Sequence, residues 1–177
     1  MRRSVVAWLA CAWLGWSGTA HAEISSWSSL GVGVARLEEP KRDNVLRLQT
    51  PIDVGVGLQP SLPVMVGWGA KITPYWGDGV DLGTYVRAAT QNYVLGGFGV
   101  ALDAGAYVRT FASKTGGFLG ALNVGLPWGV VGTFIYARGP DGVQTIGGTV
   151  GLDFLRLTVY RLAGEQEWKN ERPAWRP

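Results

Sequence analysis

The chain has a single cysteine, Cys11, and a single histidine, His21, and both fall within its first 22 residues. That segment reads as a secretory signal. Arg2 and Arg3 supply a basic start and Val5 to Trp16 an apolar centre. Ser17-Gly18-Thr19-Ala20-His21-Ala22 ends in the Ala-x-Ala that signal peptidase reads, with cleavage after Ala22. About 12 apolar residues are too few to cross a bilayer, so residues 1–22 are expected to be removed. Residues 23–177 then contain neither Cys nor His. Without cysteine no disulfide can form, and stability must come from burial and hydrogen bonding. Without either residue, Ser-His, Asp-His and Cys-His machinery is excluded, and a metal site loses its best ligands. No catalytic, cofactor-binding or metal-binding residue is assigned, and a protein that is not an enzyme is expected.

Three further scarcities narrow the class. Charged residues make up 16% of the chain, against about 25% in an ordinary soluble domain. No apolar run reaches the 18 residues of a membrane-crossing helix. Cationic excess is also missing: without Arg2 and Arg3, 14 of the 16 basic residues face 13 acidic ones, so no nucleic-acid partner is expected. Neither a phosphate-binding loop nor a calcium loop is present.

What is abundant is alternation. From Leu46 to Leu58 the even positions are Leu46, Leu48, Thr50, Ile52, Val54, Val56 and Leu58, while the odd ones are Arg47, Gln49, Pro51, Asp53, Gly55 and Gly57. After Gln59-Pro60-Ser61 the pattern resumes with Leu62, Val64, Val66, Trp68, Ala70 and Ile72 on one face. Met65, Gly67, Gly69, Lys71 and Thr73 lie on the other. A period of two is the strand period, so Leu46 to Trp76 predicts two long strands joined by a tight turn. Other strands are expected at 27–37, 80–90, 94–111, 117–126, 129–138 and from Val143. Turns are expected at Gly77-Asp78-Gly79, Gln91-Asn92 (with Gly96-Gly97 competing) and Gly139-Pro140-Asp141-Gly142. Residues 38–44 read as a polar loop. Pro51 cannot donate to a ladder, which predicts a bulge there or a membrane strand beginning at Ile52. The last strand changes phase near Phe154-Leu155, which predicts a second bulge. The count is eight strands, with ten open. Odd-numbered connections read as longer than even ones.

An exported chain of amphipathic strands suits either a membrane barrel, apolar face outward, or a soluble β-barrel, apolar face inward. Two features favour the first. Many of the 27 glycines lie on the polar face, where a narrow barrel interior needs small residues. The charges on that face are mixed in sign and fall mid-strand, where a filled lumen can pair them. Asp81-Leu82-Gly83-Thr84-Tyr85-Val86-Arg87 is echoed by Asp103-Ala104-Gly105-Ala106-Tyr107-Val108-Arg109. Each puts Asp, Gly, Tyr and Arg on one face, as a binding groove or, the reading preferred here, a lumen plug. An unpaired interior charge is costly, so Asp53, Asp81, Asp103 and Asp153 are expected to pair with Arg47, Lys71, Arg87, Arg109 and Arg156. Trp27, Trp68, Tyr75, Trp76, Tyr93, Trp128, Tyr136 and Tyr160, near predicted strand ends, are expected to form aromatic girdles at the two membrane interfaces.

On Leu46 to Trp76, the Asp-x-Gly-x-Tyr-Val-Arg strands and the signal segment, the chain resembles the small eight-stranded outer-membrane β-barrel proteins of Gram-negative bacteria. The resemblance covers about Trp27 to Leu162, with Leu155 to Leu162 as the closing strand. It implies an all-β fold: a closed antiparallel up-and-down barrel over residues 23–162, after a cleaved signal at 1–22 and before a polar tail at 163–177. It also implies outer-membrane lipid and the barrel-assembly machinery as partners, a monomer, and a structural or surface-interaction role. A narrow channel for small solutes and a soluble periplasmic barrel binding an apolar ligand are the alternatives.

Overall fold

The computed structural model describes residues 23–39, 42–59, 64–94, 97–111 and 114–160. The signal segment with Ala22, and the 163–177 tail, lie outside the described residues. Nine strands follow one another: β1 (Glu23–Glu39), β2 (Arg42–Gln49), β3 (Ile52–Gln59), β4 (Val64–Tyr75), β5 (Gly79–Thr90), β6 (Gly99–Arg109), β7 (Gly116–Gly125), β8 (Val130–Arg138) and β9 (Gln144–Asp153). Each pairs antiparallel with the next, except that β2 and β3 do not pair with each other and both pair with β1, and β1 also pairs with β9, from Ser29 opposite Asp153 to Glu38 opposite Gln144. The sheet therefore meets itself as a barrel-like ring of eight strands, in which β2 and β3 share one position.

β2 and β3 are one strand in everything but hydrogen bonding. β1 meets both in a single register, Gly33 opposite Gln49 and Leu30 opposite Ile52. β4 does the same, with Tyr75 opposite Gln49 and Ile72 opposite Ile52. The interruption is Thr50-Pro51. Pro51 accepts from the Gly31 amide at 2.9 Å, and Pro74 on β4 accepts from the Thr50 amide at 3.1 Å. Neither proline has an N–H to return the bond. No bulge forms at Pro51: the register is continuous across it, and of the two alternatives it is the strand start at Ile52 that appears, as β3. The strand runs straight through and forgoes two ladder bonds instead.

One parity rule governs the whole ring. On every strand the odd-numbered residues are the more buried and the even-numbered ones the more exposed. Directly paired residues share a face, and the registers pair odd with odd, so the rule passes from strand to strand and across the β1–β9 closure; it breaks once, at a register shift between Leu37 and Glu39 that sets Glu39 opposite Arg42. The small residues the interior needs follow from this. A Cβ on Gly33 would lie 2.0 Å from the Gly148 carbonyl oxygen across the closure, and one on Gly105 would lie 2.0 Å from that of Thr84.

The ring has a near end, where β1 begins and β9 finishes, and a far end. Residues 40–41, 76–78, 110–115 and 139–143 connect strands at the far end; 60–63, 91–98 and 126–129 connect them at the near end. The expected asymmetry of loop length is not there. β1 and β2 extend into the segment read as a polar loop, so that Glu39 faces Arg42. β6 starts at Gly99 rather than Val94, because Gln91–Val94 forms a single helical turn, α1. The Thr90 hydroxyl accepts there from the Tyr93 and Val100 amides, at 3.4 and 3.1 Å. At Gly139-Pro140-Asp141-Gly142 the Val143 amide closes a turn on the Pro140 carbonyl, with Gly142 at φ +78°.

The phase change near Phe154-Leu155 has a different cause from a bulge. β9 stops at Asp153, and residues 154–160 coil helically. Asp153 Oδ1 accepts from the Leu155 and Arg156 amides at 3.0 and 3.2 Å, which are the orphan donors of a helix start. The switch from strand period to helix period moves Leu155 and Leu157 to a new side. Closure is made by β9 on β1; of the closing strand expected at 155–162, residues 155–160 are helical and 161–162 lie outside the described residues.

Candidate functional site

The interior holds the chemistry of the molecule, and the two echoed strands build most of it. β5 and β6 pair antiparallel with Asp81 opposite Arg109, Gly83 opposite Tyr107, Tyr85 opposite Gly105 and Arg87 opposite Asp103. The repeat thus meets itself head to tail. Each Asp faces the other copy's Arg, and each bulky Tyr faces the other copy's Gly. Two strands of identical pattern neutralise and fill each other, provided they run in opposite directions.

The first ionic layer centres on Arg87, which is 1% exposed. Its Nε donates to Asp103 Oδ1 at 2.6 Å, and its Nη2 reaches Asp103 Oδ2 and Asp53 Oδ2, each at 2.8 Å. This is the forked geometry that makes Arg–carboxylate pairs strong. Lys71 Nζ stands 3.7 Å from Asp53 and 3.8 Å from Asp103, so two cations and two carboxylates balance. Asp53 Oδ1 also accepts from Trp27 Nε1 at 3.2 Å and from the Tyr85 hydroxyl. The chain of bonds continues through Asn123, which donates to Asp103 at 2.8 Å, to Thr133, which donates to Asn123 at 2.8 Å. Strands β3 to β8 are tied together in one layer.

The second layer lies towards the far end. Arg109 donates from Nε and Nη2 to Asp81, at 3.0 and 2.9 Å, from Nη2 to Thr145 at 2.7 Å and from Nη1 to Glu39 at 3.4 Å. Aromatic rings sandwich both guanidiniums. Arg87 lies 4.6 Å from the Trp27 ring centre and 5.1 Å from that of Tyr85, and Arg109 4.9 Å from that of Phe111. Such stacking satisfies the face of a cation whose edge is hydrogen-bonded. Buried apolar groups flank the two layers: Trp27, Met65, Tyr85, Ala89, Tyr93 and Val94 form one cluster, and Ala35, Leu37, Tyr75 and Phe111 another. Two small voids, one beside Asp53 and Lys71 and one beside Tyr93 and Arg156, each hold about 10 Å³, roughly the space of one water.

The structure separates the remaining candidates. Arg47 pairs with Asp78 at the far rim, half-exposed. Asp153 and Arg156 are both buried, but their partners are backbone groups. Asp153 caps the helical turn, and Arg156 donates from Nη2 to the Gly97 carbonyl at 2.7 Å while lying 4.7 Å from the Tyr93 ring centre. Among the described residues, Arg156 Nε and Nη1 have no hydrogen-bond partner. Glu39, Asn123 and Thr145 were missed as interior partners. Glu39 stands in the segment that reads as a polar loop, although its odd number places it with the inward residues.

Three of the aromatics expected at the rims point inward: Trp27, Tyr75 and Tyr93 are at most 5% exposed. Their interior partners are the reason: the Trp27 indole N–H serves Asp53, and the ring faces of Tyr75 and Tyr93 serve Arg109 and Arg156. Trp68, Trp76 and Trp128 are exposed, and Tyr136 half-exposed, on the outer surface. The side chain of Tyr160 lies outside the described residues. Phe98, Phe118 and Phe154, not singled out from sequence, stand exposed near strand ends.

The outer face is apolar around the ring. Leu30, Val32 and Val34 on β1, Ile52, Val54, Val56 and Leu58 on β3, Val66 and Trp68 on β4, Leu82 and Val86 on β5, Leu102 and Val108 on β6, Phe134 on β8 and Val150 and Leu152 on β9 are all exposed. Among the described residues, no group of three or more His, Cys, Asp or Glu is placed to hold a metal ion. No protein-family profile, curated protein or solved structure matches the chain.

Proposed function

We propose that this chain is a non-enzymatic outer-membrane β-barrel of the up-and-down kind. In this reading it is exported by a signal ending at Ala22, inserted as a monomer by the barrel-assembly machinery, and acts as a structural or surface-interaction protein. The observation that carries the reading is the inversion of its two faces. Charged side chains are buried and paired inside, while large apolar ones are exposed around the outside. A soluble monomer rarely exposes more than a few hundred Å² of contiguous apolar surface, and water does not favour a whole belt of it. Hydrocarbon does. In lipid every backbone polar group must be paired within the protein, and a closed ring is one of the two ways to do that.

The interior weighs against the two alternatives. A carrier of an apolar ligand needs an apolar cavity, and this interior holds Asp53, Lys71, Arg87 and Asp103 with room for single waters. A channel needs a continuous path, and the two ionic layers with the aromatic rings stacked on them occupy the interior that such a path would cross. Short connections at both ends suit a compact scaffold more than an elaborate adhesin.

Fractionation of cells expressing the full chain tests the reading, with gel migration of the membrane fraction before and after boiling. Outer-membrane recovery with a boiling-dependent shift is expected. Recovery in the osmotic-shock fraction without detergent, and no shift, would refute it.

A further inference from the structure

The charges that point outward are few and sit at one end. Among described strand side chains at even positions, the charged ones are Arg36, Glu38 and Arg138, all at the far rim. Arg36 and Arg138 are exposed. The registers place them. Glu38 faces Gln144, and Gln144 faces Arg138, so these three form one row across β1, β9 and β8. Arg36, Ile146 and Tyr136 form the next row. Two strand spacings and one two-residue step separate Arg36 from Arg138, about 12 Å between Cα atoms, which two long arms can bridge. Exposed Lys114 belongs to the neighbouring far-end connection, which runs close enough that a Cβ on Gly139 would lie 3.3 Å from Thr115 Oγ1. The near rim is different: Phe98, Trp128, Phe154, Thr90, Gln91 and Asn92 are exposed there, and none is charged.

Below the cationic rows the surface turns apolar and hollow. Phe134 and Val150 are exposed there, and Phe118 stands exposed beside Arg138 in the upper row. Between Phe134 and Val150 lie Gly132 and Gly148, where an added Cβ would meet no heavy atom nearer than 4.0 Å. Cations above a shallow apolar hollow match an amphiphile with an anionic head.

We propose that Arg36 and Arg138 seat the phosphate of a membrane lipid, whose acyl chain lies along β8 and β9 over Gly132 and Gly148. The inference rests on the membrane reading above. Glu38 holds Arg36 through an Nε–Oε1 contact of 2.9 Å and leaves most of the five guanidinium donors for a ligand. Its own charge works against an anion. The occupant is a lipid rather than free phosphate, because exposed cations in water attract a free anion weakly, whereas a lipid adds chain burial in the hollow.

The test is native mass spectrometry of the full chain, released from detergent micelles doped equally with phosphatidylglycerol and phosphatidylcholine. Several-fold more phosphatidylglycerol adduct is expected on the wild type. An Arg36→Gln/Arg138→Gln double variant should lose that preference while keeping the boiling-dependent gel shift, since both side chains lie outside the interior. Glu38→Gln should raise it, and millimolar inorganic phosphate should not displace the lipid. Equal adducts on the wild type, or a preference that survives the double variant, would overturn the seat and leave the barrel reading standing. Displacement of the lipid by inorganic phosphate would overturn the lipid as occupant. A chain that stays soluble without detergent and shows no gel shift would overturn both.

Discussion

Arg87 donates to carboxylates on two different strands, and Lys71 alone cannot replace it, because its ammonium stands 3.7 Å or more from either. Arg87→Ala is expected to destabilise the ring by about 3–5 kcal/mol, the cost of leaving buried charge uncompensated. Arg47→Ala, which removes a side chain about a third exposed from the mostly buried Asp78, is expected to cost less, about 1–2 kcal/mol. Urea unfolding in detergent compares the two. The same burial predicts reactivity: a bulky water-soluble guanidine reagent should modify Arg36 and Arg138 and spare Arg87 and Arg109, as peptide mapping would show. Glycines divide just as sharply. Gly33→Ala drives a methyl into the Gly148 carbonyl and is expected to cost about 1–3 kcal/mol or more, whereas Gly148→Ala points into open space and should be close to neutral. At this scale the echoed Asp, Tyr and Arg residues were legible as inward, since alternation alone assigns a face. Trp27, Tyr75 and Tyr93 were not, because an amphipathic ring suits a membrane interface and a polar interior equally. Their odd numbers, shared with the ionic residues, were the available signal.

The short helical segments at the near end were the least legible elements. α1 and the coil after β9 depend on Thr90 and Asp153 accepting backbone amides, and a hydrophobic period over so few residues does not announce a helix. Asp153→Ala should cost about 1 kcal/mol and speed amide exchange at Leu155 and Arg156, measured by hydrogen–deuterium exchange. Tyr93 on α1 lies between Arg87 and Arg156. Burial raises its phenol from 10.0 to about 12, with Arg87 and Arg156 opposing. Because the folded value exceeds the unfolded one, the neutral phenol's contribution is intact below pH 10 and lost as pH climbs towards 12. Tyr93→Phe should therefore lose less stability than wild type between pH 10 and 12, read as the urea midpoint at each pH. The long strands, by contrast, were legible to within a few residues. Pro51 was legible as a disturbance but not as its kind, since a missing donor can be met by a bulge or by a missing bond, and the choice depends on neighbouring strands.

At the scale of the molecule, eight ring positions follow from the count of alternating segments, and antiparallel order from connections too short for crossovers. Loop lengths misled because strands β1 and β2 extend further into their turn than the polar residues 38–44 suggested. The odd-in, even-out rule of the ring has a consequence for how the gene can change. Even positions ask only for bulk without charge over most of their height, so Leu, Val, Ile and Phe can drift freely among them. Odd positions are coupled: a lost Asp103 is tolerated only if Arg87 changes with it, and a larger residue at Gly69 only if Tyr85 shrinks. Descendants of such a chain would keep a common outer texture while diverging inside in compensated pairs. A single-codon deletion within any strand would be harsher than almost any substitution, because it turns the rest of that strand inside out.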